Sequence, residues 1–153
     1  MFGVQAVRSR EFQEQIATAL GCEFYKDTYA FFAGEMTDDG TTVTSLIGLC
    51  QFTFDPDMSV IKSLTPAPGC EEDEAMTILV RTVMYSVYRA EIPYISISED
   101  VYPADKIKKM GFRKTDSEHA NLILFNTCCV RENAENTLFG RLGYLKNRKL
   151  KED

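Results

Sequence analysis

No apolar run in the sequence approaches the roughly 20 residues that a helix needs to cross a bilayer. The stretch after Arg8 and Arg10 is mixed, without the continuous apolar core of a signal peptide. A soluble chain without membrane contact is expected. Histidine is almost missing: His119 stands alone in an expected turn and reads as a solvated side chain. The five cysteines, Cys22, Cys50, Cys70, Cys128 and Cys129, are odd in number and two are adjacent, which does not suggest a disulfide framework. That usage fits a reducing, cytoplasmic setting. Positive charge is scarce over most of the chain. Residues 1–129 carry 11 basic and 19 acidic side chains, whereas residues 130–153 carry 6 and 4. Phosphate neutralisation needs a cationic surface, so nucleic-acid binding is not expected of the main body, and any polyanion contact would fall on the tail. Internal repeats and low-complexity linkers are also missing.

What is present suffices for one ordinary core. The chain has 153 residues with 44% hydrophobic content, too short for two comfortable domains. A main domain over residues 1–127 with a helical tail over 128–153 is the expected division. Phe2 to Val7 alternates as a strand would, and Ser9 offers an N-cap oxygen ahead of Phe12, Ile16 and Leu20, four apart on one helical face. Gly21 ends that helix. Residues 29–36 and 45–54 are aromatic and β-branched runs around Thr37-Asp38-Asp39-Gly40, whose Asp-Gly step favours a hairpin. A further strand is expected over 58–65. Met76, Leu79, Val80, Val83, Met84, Val87 and Tyr88 recur at helical spacing within residues 71–90 and call for a sheet to pack on. Then come an alternating strand from Tyr94 to Ser98, a helix over 101–110 with Pro103 in its first turn and Gly111 at its end, and strand-like segments over 112–115 and 121–125.

Strand, helix, three-strand meander, long helix, strand, and a short helix closing in Lys109-Met110-Gly111-Phe112, with Leu46-Ile47-Gly48 in the third strand, resembles the GNAT acyltransferase superfamily over residues 1–112. The resemblance implies an α/β (α+β) fold with a twisted, mostly antiparallel sheet flanked by helices. It also implies acetyl-CoA as cofactor, with its pyrophosphate on a glycine-rich loop between the fourth strand and the long helix. Here that loop reads Pro66-Ala67-Pro68-Gly69-Cys70-Glu71-Glu72-Asp73-Glu74. Gly69 is the remnant of the cradle, the usual basic residue is missing, and four acids begin the helix. Two unit charges about 6 Å apart at an effective dielectric near 20 repel by about 2–3 kcal/mol. The same acids also stabilise the start of a helix through its dipole, by ~0.3–1 kcal/mol each, and this structural reading is preferred. The resemblance further implies a tyrosine proton donor where this chain has Ile107, which cannot donate. Tyr102, near the other end of that helix, reads as a packing aromatic, and no general base stands out in residues 60–64. If CoA binds, Leu64, Thr65, Gly69 and Cys70 are the expected contacts. The catalytic residues are not identified.

Asn126-Thr127-Cys128-Cys129-Val130-Arg131-Glu132, leading to Leu142-Gly143-Tyr144-Leu145-Lys146, is similar to the N-terminal domain of the radical-SAM tRNA methylthiotransferases, from about residue 110 to 149. That resemblance gives Cys128 the role of one of three ligands to an auxiliary iron–sulfur cluster. The other two ligands have no counterpart, and the Cys-x-x-x-Cys-x-x-Cys motif of the radical-SAM cluster is absent from these residues. No metal site and no iron–sulfur cluster are therefore expected. Read without any family, Val130, Ala134, Leu138, Leu142 and Leu145 form an apolar stripe on an amphipathic C-terminal helix, with acids early and bases late to match its dipole. Such a helix needs a surface: the domain itself, a second copy as a homodimer, or a protein partner.

Two functions follow as expectations: a non-catalytic binding or assembly module, and an acyl-CoA-dependent N-acyltransferase of unknown acceptor. A third is a fused or truncated fragment linked to tRNA methylthiolation.

Overall fold

The first helix begins where its cap predicts. In the computed structural model, which describes residues 2–70, 73–114 and 122–126, α1 (Arg10–Leu20) opens with the Ser9 hydroxyl accepting the Phe12 N–H at 3.1 Å. It closes on Gly21 at φ 74°, whose N–H donates to Thr18 while that of Cys22 donates to Ala17. Ser9→Ala is expected to cost about 1 kcal/mol, read as a lower urea midpoint at unchanged m-value.

Among the described residues seven strands, β1 (Phe2–Ala6), β2 (Tyr29–Met36), β3 (Val43–Phe52), β4 (Ser59–Pro66), β5 (Tyr94–Ser98), β6 (Arg113–Lys114) and β7 (Leu122–Asn126), form one sheet in the order β1-β2-β3-β4-β5-β7-β6. The pairs are antiparallel except β4 with β5, which the long helix α2 (Asp73–Arg89) joins as a crossover. A short helix, α3 (Ala104–Lys109), links β5 to β6. The fold class is thus the expected one, a mixed α/β sheet flanked by helices. The tail helix and His119 lie outside the described residues.

Alternation along the strands sorts side chains into two layers. On one face Ile16 and Ala17 of α1 pack on Ala30, Phe32 and Leu49. On the other, Met76, Leu79, Val80 and Val83 of α2, with Ile107 and Met110 around α3, cover Cys50, Phe52, Ile61, Leu64, Ile95 and Ile97. Burial pushes the Cys50 thiol far above its ordinary range and makes it a small core hydrophobe.

Most element ends fall within one residue of the sequence-based expectation, and two elements differ by more. The third strand runs over 43–52 instead of 45–54, because its ladder extends to Val43 opposite Met36. The helix expected from 101 starts at 104: the Val101 N–H closes a turn onto Ser98 O, and Pro103 occupies the cap. The Asp-Gly hairpin forms, with Asp39 accepting hydrogen bonds from the Thr37 and Thr41 side chains and from the Thr41 N–H. Those bonds hold the Asp39 carboxyl below the usual range. A lowered folded-state value stabilises the hairpin above the unfolded value and is lost as pH falls through the folded one. Raised amide exchange at Thr41 below about pH 4, the unperturbed carboxylate region, is the expected result.

Candidate functional site

Where β4 leaves β5, the sheet opens. Their pairing is limited to Ser59, Val60 and Ile61 against Ile95, Ser96 and Ile97, while β4 continues to Pro66. At that point β4 also carries a bulge: Phe52 pairs with Ile61 and Gln51 with Ser63, so Lys62 is an extra residue without a counterpart on β3. A bulge bends its strand and raises the local twist, which turns the end of β4 away from β5. The Lys62 ammonium is engaged on the surface by the Asp27 carboxylate at 2.7 Å and the Tyr25 ring at 5.7 Å. Nothing in the residue types foretold this bulge.

The four residues expected to meet a cofactor fall at the open end of this splay. The Ala67 N–H donates to Ile47 O at 2.7 Å, which fixes the phase of the β3–β4 ladder. Thr65 therefore turns its backbone groups toward β3, and Leu64 turns its amide and carbonyl toward the gap. The Leu64 side chain is buried in the core, and the Thr65 hydroxyl lies 3.0 Å from that of Ser63. Gly69 and Cys70 sit in a tight turn. The Cys70 N–H donates to Ala67 O at 2.9 Å, with Pro68 second in the turn and Gly69 third at φ 80°. These are the marks of a type II β-turn.

This turn decides what the loop offers an anion. Pro66 and Pro68 have no N–H, and those of Ala67 and Cys70 are engaged by backbone carbonyls. Within residues 66–70 only the Gly69 amide is left without a backbone bond. A pyrophosphate cradle needs several convergent amides. Directly beyond lies Asp73 at the start of α2, whose carboxylate binds Lys106 of α3 at 3.0 Å. That hydrogen bond, with the Tyr102 ring 5.7 Å away, holds the Lys106 ammonium above its ordinary range. The pair links the two helices that follow the diverging strands, and Lys106 was not foreseen because its partner is distant in sequence.

Ile107 is fully buried at 0% exposure in the α2–α3 core. Tyr102 is also a core residue, with burial raising its hydroxyl above the ordinary range, as a packing aromatic requires. Among the described residues no group of His, Cys, Asp and Glu could hold a metal ion, and no helix is long and apolar enough to cross a membrane.

The overall fold recurs in solved structures. A KacTA–DNA complex matches 90% of this chain and 100% of its own with a TM-score of 0.66 at 16% identity. The spermidine/spermine N-acetyltransferase SpeG from Vibrio cholerae matches 87% of this chain and 99% of its own with a TM-score of 0.62 at 10% identity. The fold is that of the GNAT acetyltransferases. At such identities the likeness carries architecture alone. The GNAT fold here overlaps a second likeness. Residues 96–153 match Uncharacterized protein family UPF0004, and the tRNA-2-methylthio-N(6)-dimethylallyladenosine synthase of Clostridium beijerinckii is 56% identical over 46 residues. That alignment takes in 29% of this chain and 10% of the synthase, so the chain spans about a tenth of its relative's length. The family match begins within β5, earlier than the expected position near residue 110. α3, β6 and β7 are therefore also part of the UPF0004-like segment. Cys128, the expected counterpart of a cluster ligand, lies outside the described residues.

Proposed function

We propose that this chain is a non-catalytic binding or assembly module built on a GNAT scaffold. The observation that carries this reading is the type II turn at residues 67–70, which spends on itself and on β3 the amides that a cofactor phosphate would need. The buried Ile107 and the carboxylate of Asp73 at the α2 start support it from two sides. The direct test is acetyl transfer. With acetyl-CoA and a panel of primary amines, thiol release is expected to stay at the rate of spontaneous hydrolysis. Protein-dependent release that saturates with an amine would reverse the assignment.

One observation favours the acyl-CoA-dependent N-acyltransferase reading. The splay exposes the Leu64 backbone groups toward a gap, where an extended amide-bearing chain such as pantetheine could add to the strand edge. In that case Leu64, Thr65, Gly69 and Cys70 hold the cofactor, and Gly69→Ala, forced to φ 80°, weakens binding more than about tenfold by disturbing the turn. Fusion or truncation linked to tRNA methylthiolation is supported by the match over residues 96–153. An intact methylthiotransferase reading frame continuing past residue 153 in the genome would favour a fragment, and an independent stop codon a stand-alone product.

A further inference from the structure

The sheet ends at β1, and the outer side of that strand is unpaired among the described residues. The Val7 N–H donates to Ala30 O at 2.9 Å, and the register continues in the same phase through Gln5 opposite Phe32 and Gly3 opposite Gly34. In an antiparallel ladder only alternate residues exchange both backbone bonds with their neighbour. Gly3 and Gln5 therefore spend their backbone groups on β2, whereas the N–H and C=O of Phe2, Val4 and Ala6 point away from the sheet. Among the described residues no hydrogen bond engages these outward groups. Sheet edges are ordinarily blunted by a charged side chain, a proline or a bulge. β1 has none of these: it reads Phe-Gly-Val-Gln-Ala, and its pairing with β2 runs without a register shift.

We infer that this edge is the contact between two copies of the chain, with β1 pairing antiparallel to its own counterpart about a two-fold axis at Val4. Three observations select a second copy as the occupant. The first is register. The outward residues are spaced evenly about Val4, so the axis sets Val4 opposite its copy and Phe2 opposite Ala6, and every outward N–H meets an outward C=O. The second is shape. Phe2 and Val4 already pack against the core under α2, and this pairing places the large Phe2 ring beside the small, exposed Ala6 while two β-branched valines meet at the centre. The third is charge. Phe2 lies at the hairpin end of the sheet, where Asp38 and Asp39 are exposed, and the exposed Arg8 lies just beyond Ala6 at the other end. Antiparallel pairing brings the Arg8 end of each copy to the acidic hairpin end of the other, whereas parallel pairing would set like beside like. This interface is independent of whether the cleft binds CoA, because β2 and β3 separate β1 from the β4–β5 splay.

Sedimentation of the full chain, with amide exchange read residue by residue by NMR, tests it. A dimer that dissociates on dilution is expected, in which the Val4 and Ala6 amides exchange at least about tenfold slower than in the monomer. The Gln5 and Val7 amides, bonded to β2 in both states, are expected to exchange alike in both. Ala6→Pro removes an outward donor without touching a bond to β2, and is expected to raise the dimer dissociation constant more than about tenfold while α2 keeps its protection. If that variant also loses α2 protection, Arg8→Glu is the second test, expected to weaken dimerisation about threefold at low salt, where exposed charges act most strongly. A chain that stays monomeric up to millimolar concentration would overturn the assignment. So would a dimer whose Val4 and Ala6 amides remain unprotected, or one indifferent to whichever substitution preserves α2.

Discussion

Gln51→Leu is expected to destabilise the protein by about 3–5 kcal/mol, the largest effect of any single polar substitution here. Gln51 is fully buried in β3 beneath the 21–28 segment, and its amide is used at both ends. Its carbonyl oxygen accepts from Gln13 Nε2 at 2.8 Å and from the Tyr25 N–H at 3.0 Å, while its Nε2 donates to Glu23 O at 2.8 Å. Gln13 in turn donates to Thr28 Oγ1 at 2.8 Å, and Thr28 to Tyr25 O at 2.7 Å. Leucine of similar volume fills the space but removes three hydrogen bonds, the one from Gln13 buried and those with Tyr25 and Glu23 part-buried, at about 1–3 kcal/mol for each partner left unsatisfied. Thermal unfolding should fall by about 8–15 °C for a chain of this size. Gln13→Leu should cost less, and the double variant should fall short of the sum by about 1–2 kcal/mol, because both belong to one network. Full additivity in that cycle would show that the two amides act independently.

Gly48→Val ranks second and reaches the cleft directly. A Cβ at Gly48 would lie 2.5 Å from Met76 Cε and 3.1 Å from Thr65 O. Methionine can swing, but the carbonyl belongs to β4, beside β3 in the sheet, and Met76 sits in the first turns of α2. Overpacking of this kind costs about 1–3 kcal/mol, with Gly48→Ala near the lower end. The consequence extends beyond stability. Displacing α2 from β3 shifts Asp73 away from Lys106, so the variant should also release that ion pair. Amide exchange in 65–76 rising together with the lower urea midpoint is the expected result, and exchange confined to β3 would show that α2 does not bear on Gly48.

Much of this architecture was legible in residue patterns. Tyr94 to Ser98 alternates and forms the strand with those bounds, and Ser9 and Gly21 mark the two ends of α1. Local rules govern such places: a cap oxygen, a positive φ, a pleat of period two. Features that depend on distant partners were not legible. Lys62 becomes a bulge because of how Phe52 and Gln51 register on β4, and no property of lysine announces it. Gln13 and Gln51 are buried polar residues on otherwise ordinary elements, and only the folded chain shows that they face each other. For the cleft, the sequence marked the loop that follows β4 as poor in glycine and rich in acids. The structure adds that Pro68-Gly69 closes a turn there, with the Ala67 and Cys70 amides bonded to backbone carbonyls.

The measurement closest to the central proposal is isothermal titration calorimetry with acetyl-CoA at low ionic strength, with desulfo-CoA as a control for thiol chemistry at the cysteines. A closed turn that leaves only the Gly69 amide without a backbone bond, and an acidic helix start, predict no saturable heat up to millimolar ligand. Saturable binding at micromolar concentration by both compounds would contradict the module reading and place a phosphate site somewhere other than residues 66–70.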